Sequence, residues 1–319
     1  MFFLQLRLMM LVAALFGIVF AIITMIGTYL GINNFLVYVF AAVAVMFFQF
    51  LIGPKMVEWT MRVKYVTRRE YPRLFDMVES LAIRAEIPMP KIGISQIELP
   101  NAFAFGRSLK DGRVCVTQGI LDLLDERELK AVLGHELTHL KSRDVLTITL
   151  LSVIPMVMYW IYWRFAFAGS RRDERGTNTM LIGLAAFIFY LITNLLVLYG
   201  SRIREYFADR GSISLGNSPS SLASALYKLV YGAARMDKEA IKEVEGLKAF
   251  FASDPSQAQN EIRELKSLDR DRSGSIEPEE LATLRNKKIK VGFGDKLMEL
   301  YSTHPNMLKR IKQLSQYQS

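Results

Sequence analysis

The sequence predicts an α+β protein, mainly helical, in which a four-span membrane anchor carries a cytoplasmic domain containing a small β-sheet. Three observations predict it. Of the 319 residues, 51% are apolar, and they are bunched into runs long enough to cross a bilayer. Outside those runs, apolar residues recur at helical spacing. Between Leu81 and Thr117 that spacing gives way to short strand-like stretches bounded by prolines and a glycine turn.

Four runs stand out: Leu8 to Leu30, Phe35 to Ile52, Val145 to Ala168 and Met180 to Gly200. Each has about 18 residues or more, the length a helix needs to span the hydrocarbon core. No cleavage-site pattern follows the first run and a second follows closely, so residues 1–54 read as a retained two-helix anchor. Residues 145–200 read as a membrane hairpin. The link Gly31-Ile32-Asn33-Asn34 is uncharged, whereas Lys55, Arg62, Lys64, Arg68 and Arg69 follow the second run. Positive residues stay inside, which puts the 55–144 segment and the C-terminal part in the cytoplasm of a multi-pass cell-membrane protein. Arg171, Arg172 and Arg175 in the third link run against this rule, and Arg164 interrupts the third run. A re-entrant or tilted hairpin is the alternative, with four spans as the reading.

Within the cytoplasmic part, Asp122 to Lys141 carries Leu124, Leu129, Val132, Leu133, Leu137 and Leu140, and this spacing predicts a helix. Lys91 to Ser95 and Arg113 to Thr117 read as strands around a turn at Lys110-Asp111-Gly112. The single cysteine, Cys115, excludes an intrachain disulfide and reads as a small buried hydrophobe in the second strand. The net charge of +9 suits anionic lipid headgroups beside the spans, with no nucleic-acid partner required.

The chemistry concentrates in His135-Glu136-Leu137-Thr138-His139, which holds two of the three histidines. Four residues apart on a helix, the imidazoles lie one above the other and can bind one metal ion. Glu136 projects about 100° around the helix, beside the metal, where it can take a proton from water. This is the zincin pattern of a metallopeptidase. A catalytic zinc needs a third protein ligand. Glu205 is assigned to it, and Asp209, one turn on, accepts a hydrogen bond from a liganding histidine and fixes its tautomer. His139 lies six residues before Val145 and Glu205 five after Gly200, which places the site close to the membrane surface. Asn101-Ala102-Phe103-Ala104 precedes the turn; as a free strand edge it would pair with an extended peptide substrate, and as an ordinary strand it would not.

Asn101-Ala102-Phe103-Ala104, Val132 to His139, Arg204 to Asp209 and Ser302-Thr303-His304-Pro305 together resemble the HtpX-type membrane zinc metallopeptidases. These belong to the wider group that includes the CaaX prenyl endopeptidases. The resemblance covers about residues 1–250 and 291–312. It implies a gluzincin-like fold, zinc on His135, His139 and Glu205, Glu136 as base, and degradation of damaged membrane proteins. It also implies a catalytic role for His304 or Arg310, approaching the site to stabilise oxyanion charge.

Residues 257–290 interrupt the resemblance as an EF-hand-like insertion. In a twelve-residue calcium loop, Asp269, Asp271 and Ser273 fill positions 1, 3 and 5, Gly274 makes the turn, Ser275 offers its carbonyl and Glu280 is the bidentate ligand. Ile262, Leu265 and Leu268 before it, and Leu281 and Leu284 after it, suit flanking helices. Arg270 and Arg272 dilute the negative charge, so weak calcium or magnesium occupancy is also consistent. Residues 201–256 and 291–319 complete the catalytic domain.

These readings converge on a membrane-integrated zinc endopeptidase acting on protein substrates, membrane proteins above all, in quality control. Two rivals remain at this level. One is a dedicated protease for a substrate such as a lipidated C-terminus; the other is a calcium-responsive, non-catalytic scaffold.

Overall fold

A computed structural model of the chain describes residues 35–144, 176–235, 268–286 and 304–318, with isolated positions between them. The chain divides into two compact units, Met1–Gly53 with Leu146–Gly200, and Pro54–Val145 with Ser201–Ser319. The first apolar run, almost all of the third and the arginines of the third link lie outside the described residues.

In the first unit the second run is helical, as the opening part of α1 (Phe35–Thr60), and the fourth run is helical within α5 (Gly176–Ser214). Phe40, Phe47, Phe48 and Leu181 are all at least 60% exposed. Met158, Ile161 and Ala186 form a small buried cluster, with Tyr162 and Tyr190 against it. Among the described residues one helical stretch, Leu181–Ser214, is long and apolar enough to cross a membrane.

The second unit is built on a four-stranded sheet of order β1-β2-β4-β3. The strands are β1 (Val63–Tyr65), β2 (Lys91–Ser95), β3 (Ala102–Phe105) and β4 (Arg113–Thr117). The anticipated strands β2 and β4 are parallel, with Gly93 opposite Cys115. β1, only three residues and largely exposed, carries no alternation to betray it. Among the described residues β3 pairs antiparallel with β4 alone and forms one edge of the sheet. Every residue of β4 is buried, Cys115 included.

Helix α2 (Pro72–Ala85) lays Leu74, Val78, Leu81 and Ala85 on one buried face. Pro72 opens it, and Glu86 in the left-handed conformation (φ 57°) ends it. The helix expected from Asp122 is two helices, α3 (Gln118–Leu123) and α4 (Glu126–Lys141). The break is chemical. Asp125 Oδ1 accepts from the backbone N–H of Arg127 and Glu128, and Glu128 Oε2 accepts from Asp125 N, a reciprocal cap that starts a helix. Glu128 also accepts from Ser224 Oγ at 2.6 Å and pairs with Lys228 Nζ at 2.8 Å, fastening α4 to α6 (Pro219–Ala234). Two further helices, α7 (Pro278–Leu284) and α8 (Met307–Ser315), pack on each other. Leu265, Leu268, Ile276, Leu281 and Leu284 join the same hydrophobic core as Ile311 and Leu314, so the stretch around 269–280 is rooted in the main core. Ile262 lies outside the described residues.

Candidate metal centre

The helical spacing of His135 and His139 brings their rings together edge to face, one turn apart on α4, with Nε2 atoms 3.1 Å from each other. Glu205 arrives on α5, with Oε2 3.5 Å from His135 Nε2 and Oε1 3.4 Å from His139 Nε2. All three residues are buried. Two helix backbones must come close for this, and glycines permit it. A Cβ on Gly211 would lie 2.2 Å from Thr138 Cγ2, and one on Gly134 would lie 2.3 Å from Asn217 Nδ2. Ser212 Oγ then donates to Ala131 O at 2.6 Å and locks the crossing.

Ligand atoms held 2.0–2.1 Å from a tetrahedral zinc lie about 3.3–3.4 Å apart. The three separations, 3.1, 3.5 and 3.4 Å with one Glu205 oxygen toward each histidine, are of that size, and two imidazole nitrogens with one carboxylate are a zinc donor set. Charge agrees. Burial alone would lower the His139 pKa, but the carboxylates of Asp144 and Glu205 outweigh it and carry the ring up to about 10. His135 is likewise raised against its burial by Asp209 and Glu205. The pocket is therefore rich in negative charge that favours a cation, whether proton or metal.

The outer nitrogens of both rings face carboxylates. His135 Nδ1 lies 2.9 Å from Asp209 Oδ1, an ion-pair contact without the geometry of the expected hydrogen bond. His139 Nδ1 lies 2.9 Å from Asp144 Oδ2, a partner the sequence reading missed. α4 ends at Lys141, and Arg143 follows in the left-handed region (φ 55°). That turn brings Asp144 beside His139. The one available signal was an acid five residues after the second histidine.

Arg310, on α8, has a wholly buried guanidinium. Its Nε and Nη2 donate to Asp209 at 2.9 and 2.6 Å, and its Nη1 lies 2.9 Å from Glu205 Oε2. His304 Nδ1 is 3.3 Å from Glu205 Oε2, and neither ring nitrogen of His304 has a hydrogen-bond partner. Glu136 is buried, and burial pushes its pKa up against the pull of His135 and His139. A carboxylate tuned upward accepts a proton more readily at neutral pH.

The structure thus gathers His135, His139, Glu205, Asp209, His304 and Arg310 from α4, α5, α8 and the stretch leading into α8, with Glu136 on α4 beside its histidine neighbour. β3, carrying Ala102, Phe103 and Ala104, packs against α4. Asn101 is buried before it; its N–H donates to Thr117 Oγ1 and its carbonyl accepts from Thr117 N. Asp269, Asp271 and Glu280 form a second group whose oxygens lie within 4.8 Å of one another.

The family model for peptidase family M48 matches residues 68–318, most of the chain and all of this centre. The chain belongs to peptidase family M48. It is a metalloendopeptidase, a hydrolase of peptide bonds, and zinc is the metal that membership implies. This M48 peptidase is 52% identical to a protease HtpX homolog of Methanothermobacter thermautotrophicus over 227 residues, 71% of this chain and 86% of that one. It is 37% identical to a protease HtpX homolog of Moorella thermoacetica over 314 residues, 96% and 90% of the two chains. Its fold is similar to that of S. mikatae Ste24p in a crystal structure, with a TM-score of 0.54 at 17% identity. The match covers 97% of this chain and 65% of that protein's length.

Proposed function

We propose that this M48 peptidase is a membrane-integrated zinc endopeptidase that cleaves misfolded or damaged membrane proteins. The observation that carries the reading is the buried His135–His139–Glu205 triangle with the upshifted Glu136 on the same helix. His135, His139 and Glu205 would hold the zinc. When bound, it supplies Lewis acidity that polarises the peptide carbonyl and acidifies water. Glu136 takes the proton from the attacking water and delivers it to the leaving amine. Asp209 and Asp144 hold the two imidazoles with their protons on Nδ1, leaving each Nε2 lone pair for the metal. Arg310 donates to Asp209, pairs by charge with Glu205 and acts as a positioning residue. His304 keeps free ring nitrogens and is the donor we assign to the developing oxyanion. The edge of β3, along Ala102, Phe103 and Ala104, pairs with extended substrate, with Asn101 anchored to Thr117 just before it.

Four spans with the catalytic unit in the cytoplasm complete the reading. The lysines and arginines after the second run support it, as do the phenylalanines exposed on α1, since large apolar side chains suit a lipid-facing surface. For the loop at 269–280 we propose a hard divalent cation, calcium or, more weakly, magnesium. The test is cleavage of unfolded casein-like and unfolded membrane substrates by protein purified in detergent, with and without zinc. Wild type should cleave both only with zinc, and Glu136→Gln should retain zinc and lose nearly all turnover. Turnover surviving in the variant overturns the assigned base, and cleavage confined to a lipidated C-terminal peptide returns the protein to a dedicated processing role.

A further inference from the structure

We infer that the 269–280 loop is a calcium site coupled to the zinc centre, so that each ion strengthens binding of the other. This deepens the cation reading of the loop and rests on it. Acidic residues close together are common without an ion; a second observation singles this group out. Asp269 is 8% exposed, and its Oδ1 has no hydrogen-bond partner. A buried carboxylate oxygen left without a donor is costly unless a cation meets it. Its Oδ2 accepts from Gly274 N at 3.0 Å and Tyr227 Oη at 3.1 Å, which fixes the side chain, and a carboxylate oxygen of Asp269 lies within 4.8 Å of one from each of Asp271 and Glu280. Gly274 supplies the left-handed residue (φ 81°) that the loop's sharp turn needs. Oxygen-only donors from Asp, Ser and Glu select a hard ion of calcium size over zinc.

Glu280 has two competing employments. In the structure Oε1 accepts from Arg270 N at 2.6 Å and Oε2 from Glu277 N at 3.1 Å, a cap that starts α7. A bidentate grip on calcium requires those oxygens to turn to the ion. Glu280 lies in the first turn of α7, so the exchange acts on that helix directly. α7 packs on α8, and Gln316 at the end of α8 donates to Arg285 O at the end of α7. α8 carries Arg310, whose guanidinium holds Glu205 and Asp209. The other side of the loop reaches α4. Tyr227 touches Asp269, and its neighbours Ser224 and Lys228 hold Glu128 at the start of the helix bearing His135 and His139. Both ligand helices of the zinc centre are therefore in mechanical contact with the loop through named side chains.

Coupling between two ligands is reciprocal and typically amounts to about 5–150-fold in affinity. The experiment is calorimetric titration of the full chain in detergent with calcium, in the presence and absence of bound zinc, and of zinc with and without calcium. One calcium per chain should bind, at least about fivefold more tightly when zinc is present, with the same factor for zinc when calcium is present. Glu280→Gln should abolish calcium binding and remove the calcium effect on zinc. Tyr227→Phe should leave calcium bound but shrink the shared factor, while circular dichroism confirms the fold. Absence of calcium binding in wild type overturns the cation reading and the coupling together. One calcium bound with identical affinities in both arms overturns the coupling alone and leaves the loop as a structural staple.

Discussion

Asp144→Ala tests how much of the zinc affinity is set by a residue that touches no metal. Asp144 Oδ2 lies 2.9 Å from His139 Nδ1, and both side chains are buried. Carboxylates behind a liganding histidine are worth about 10–100-fold in metal affinity, which is about 1.4–2.7 kcal/mol at about 1.4 kcal/mol per decade. The same carboxylate also stabilises the imidazolium that competes with zinc, helping to raise the His139 pKa to about 10. Near pH 7 the two effects partly cancel, so the loss should sit near the low end, about tenfold. Toward pH 10 the competing proton fades and the loss should approach the upper end, about a hundredfold. Asp144→Asn keeps an oxygen that accepts from Nδ1–H and should lose less at both values. The assay is competition with a chromophoric zinc chelator at two pH values. Because Arg204 donates to the Asp144 backbone and sits near its carboxylate, melting of the zinc-free variants must be followed in parallel. A folded Asp144→Ala protein whose zinc affinity matches wild type at both pH values refutes the assigned role.

Arg310→Met removes the guanidinium from two buried carboxylates and should cost about 3–5 kcal/mol in the zinc-free protein, where only the neighbouring imidazoles are left to offset them. Bound zinc offsets part of this at Glu205, so melting in detergent should fall further without zinc than with it; equal drops would show that Arg310 does not serve that carboxylate. Zinc binding should release protons. Since the metal-free His139 is held up to about 10, its charged form stabilises the fold fully below its unfolded value and loses that contribution as pH rises through the folded one. Zinc needs the neutral ring, so at pH 8 calorimetry in buffers of different ionisation enthalpy should find at least about one proton released per zinc, with affinity rising with pH; no release contradicts the charge reading. Gly211→Ala drives a Cβ into Thr138 and should destabilise by about 1–3 kcal/mol while lowering zinc occupancy, with partial recovery in combination with Thr138→Ala. Full zinc content in the single variant would mean that the helices tolerate a wider crossing.

What the sequence by itself determined is what helix and strand geometry dictate over a few residues. His135 and His139 share a face because four residues make about one turn, and the same arithmetic put Glu205 and Asp209 together on α5. β2 and β4 were equally legible, set off by the turn between them. The start of α4 was legible too, in Asp125-x-x-Glu128, but helical spacing across Asp122 to Lys141 masked it. Tertiary structure decided the pairings between distant segments. Arg310 lies 101 residues from Asp209, and no local spacing says that its guanidinium is committed to carboxylates rather than left free for substrate. Asp144 reached His139 only through a left-handed turn at Arg143, an uncommon conformation for an arginine that composition does not announce. The close crossing of α4 and α5 likewise depended on Gly134 facing Asn217 and Gly211 facing Thr138, a fit set by which surfaces pack together. Local hydrogen-bond geometry repeats with the chain and can be read from it, whereas the balance of buried charge around the metal depends on which segments the core brings into contact.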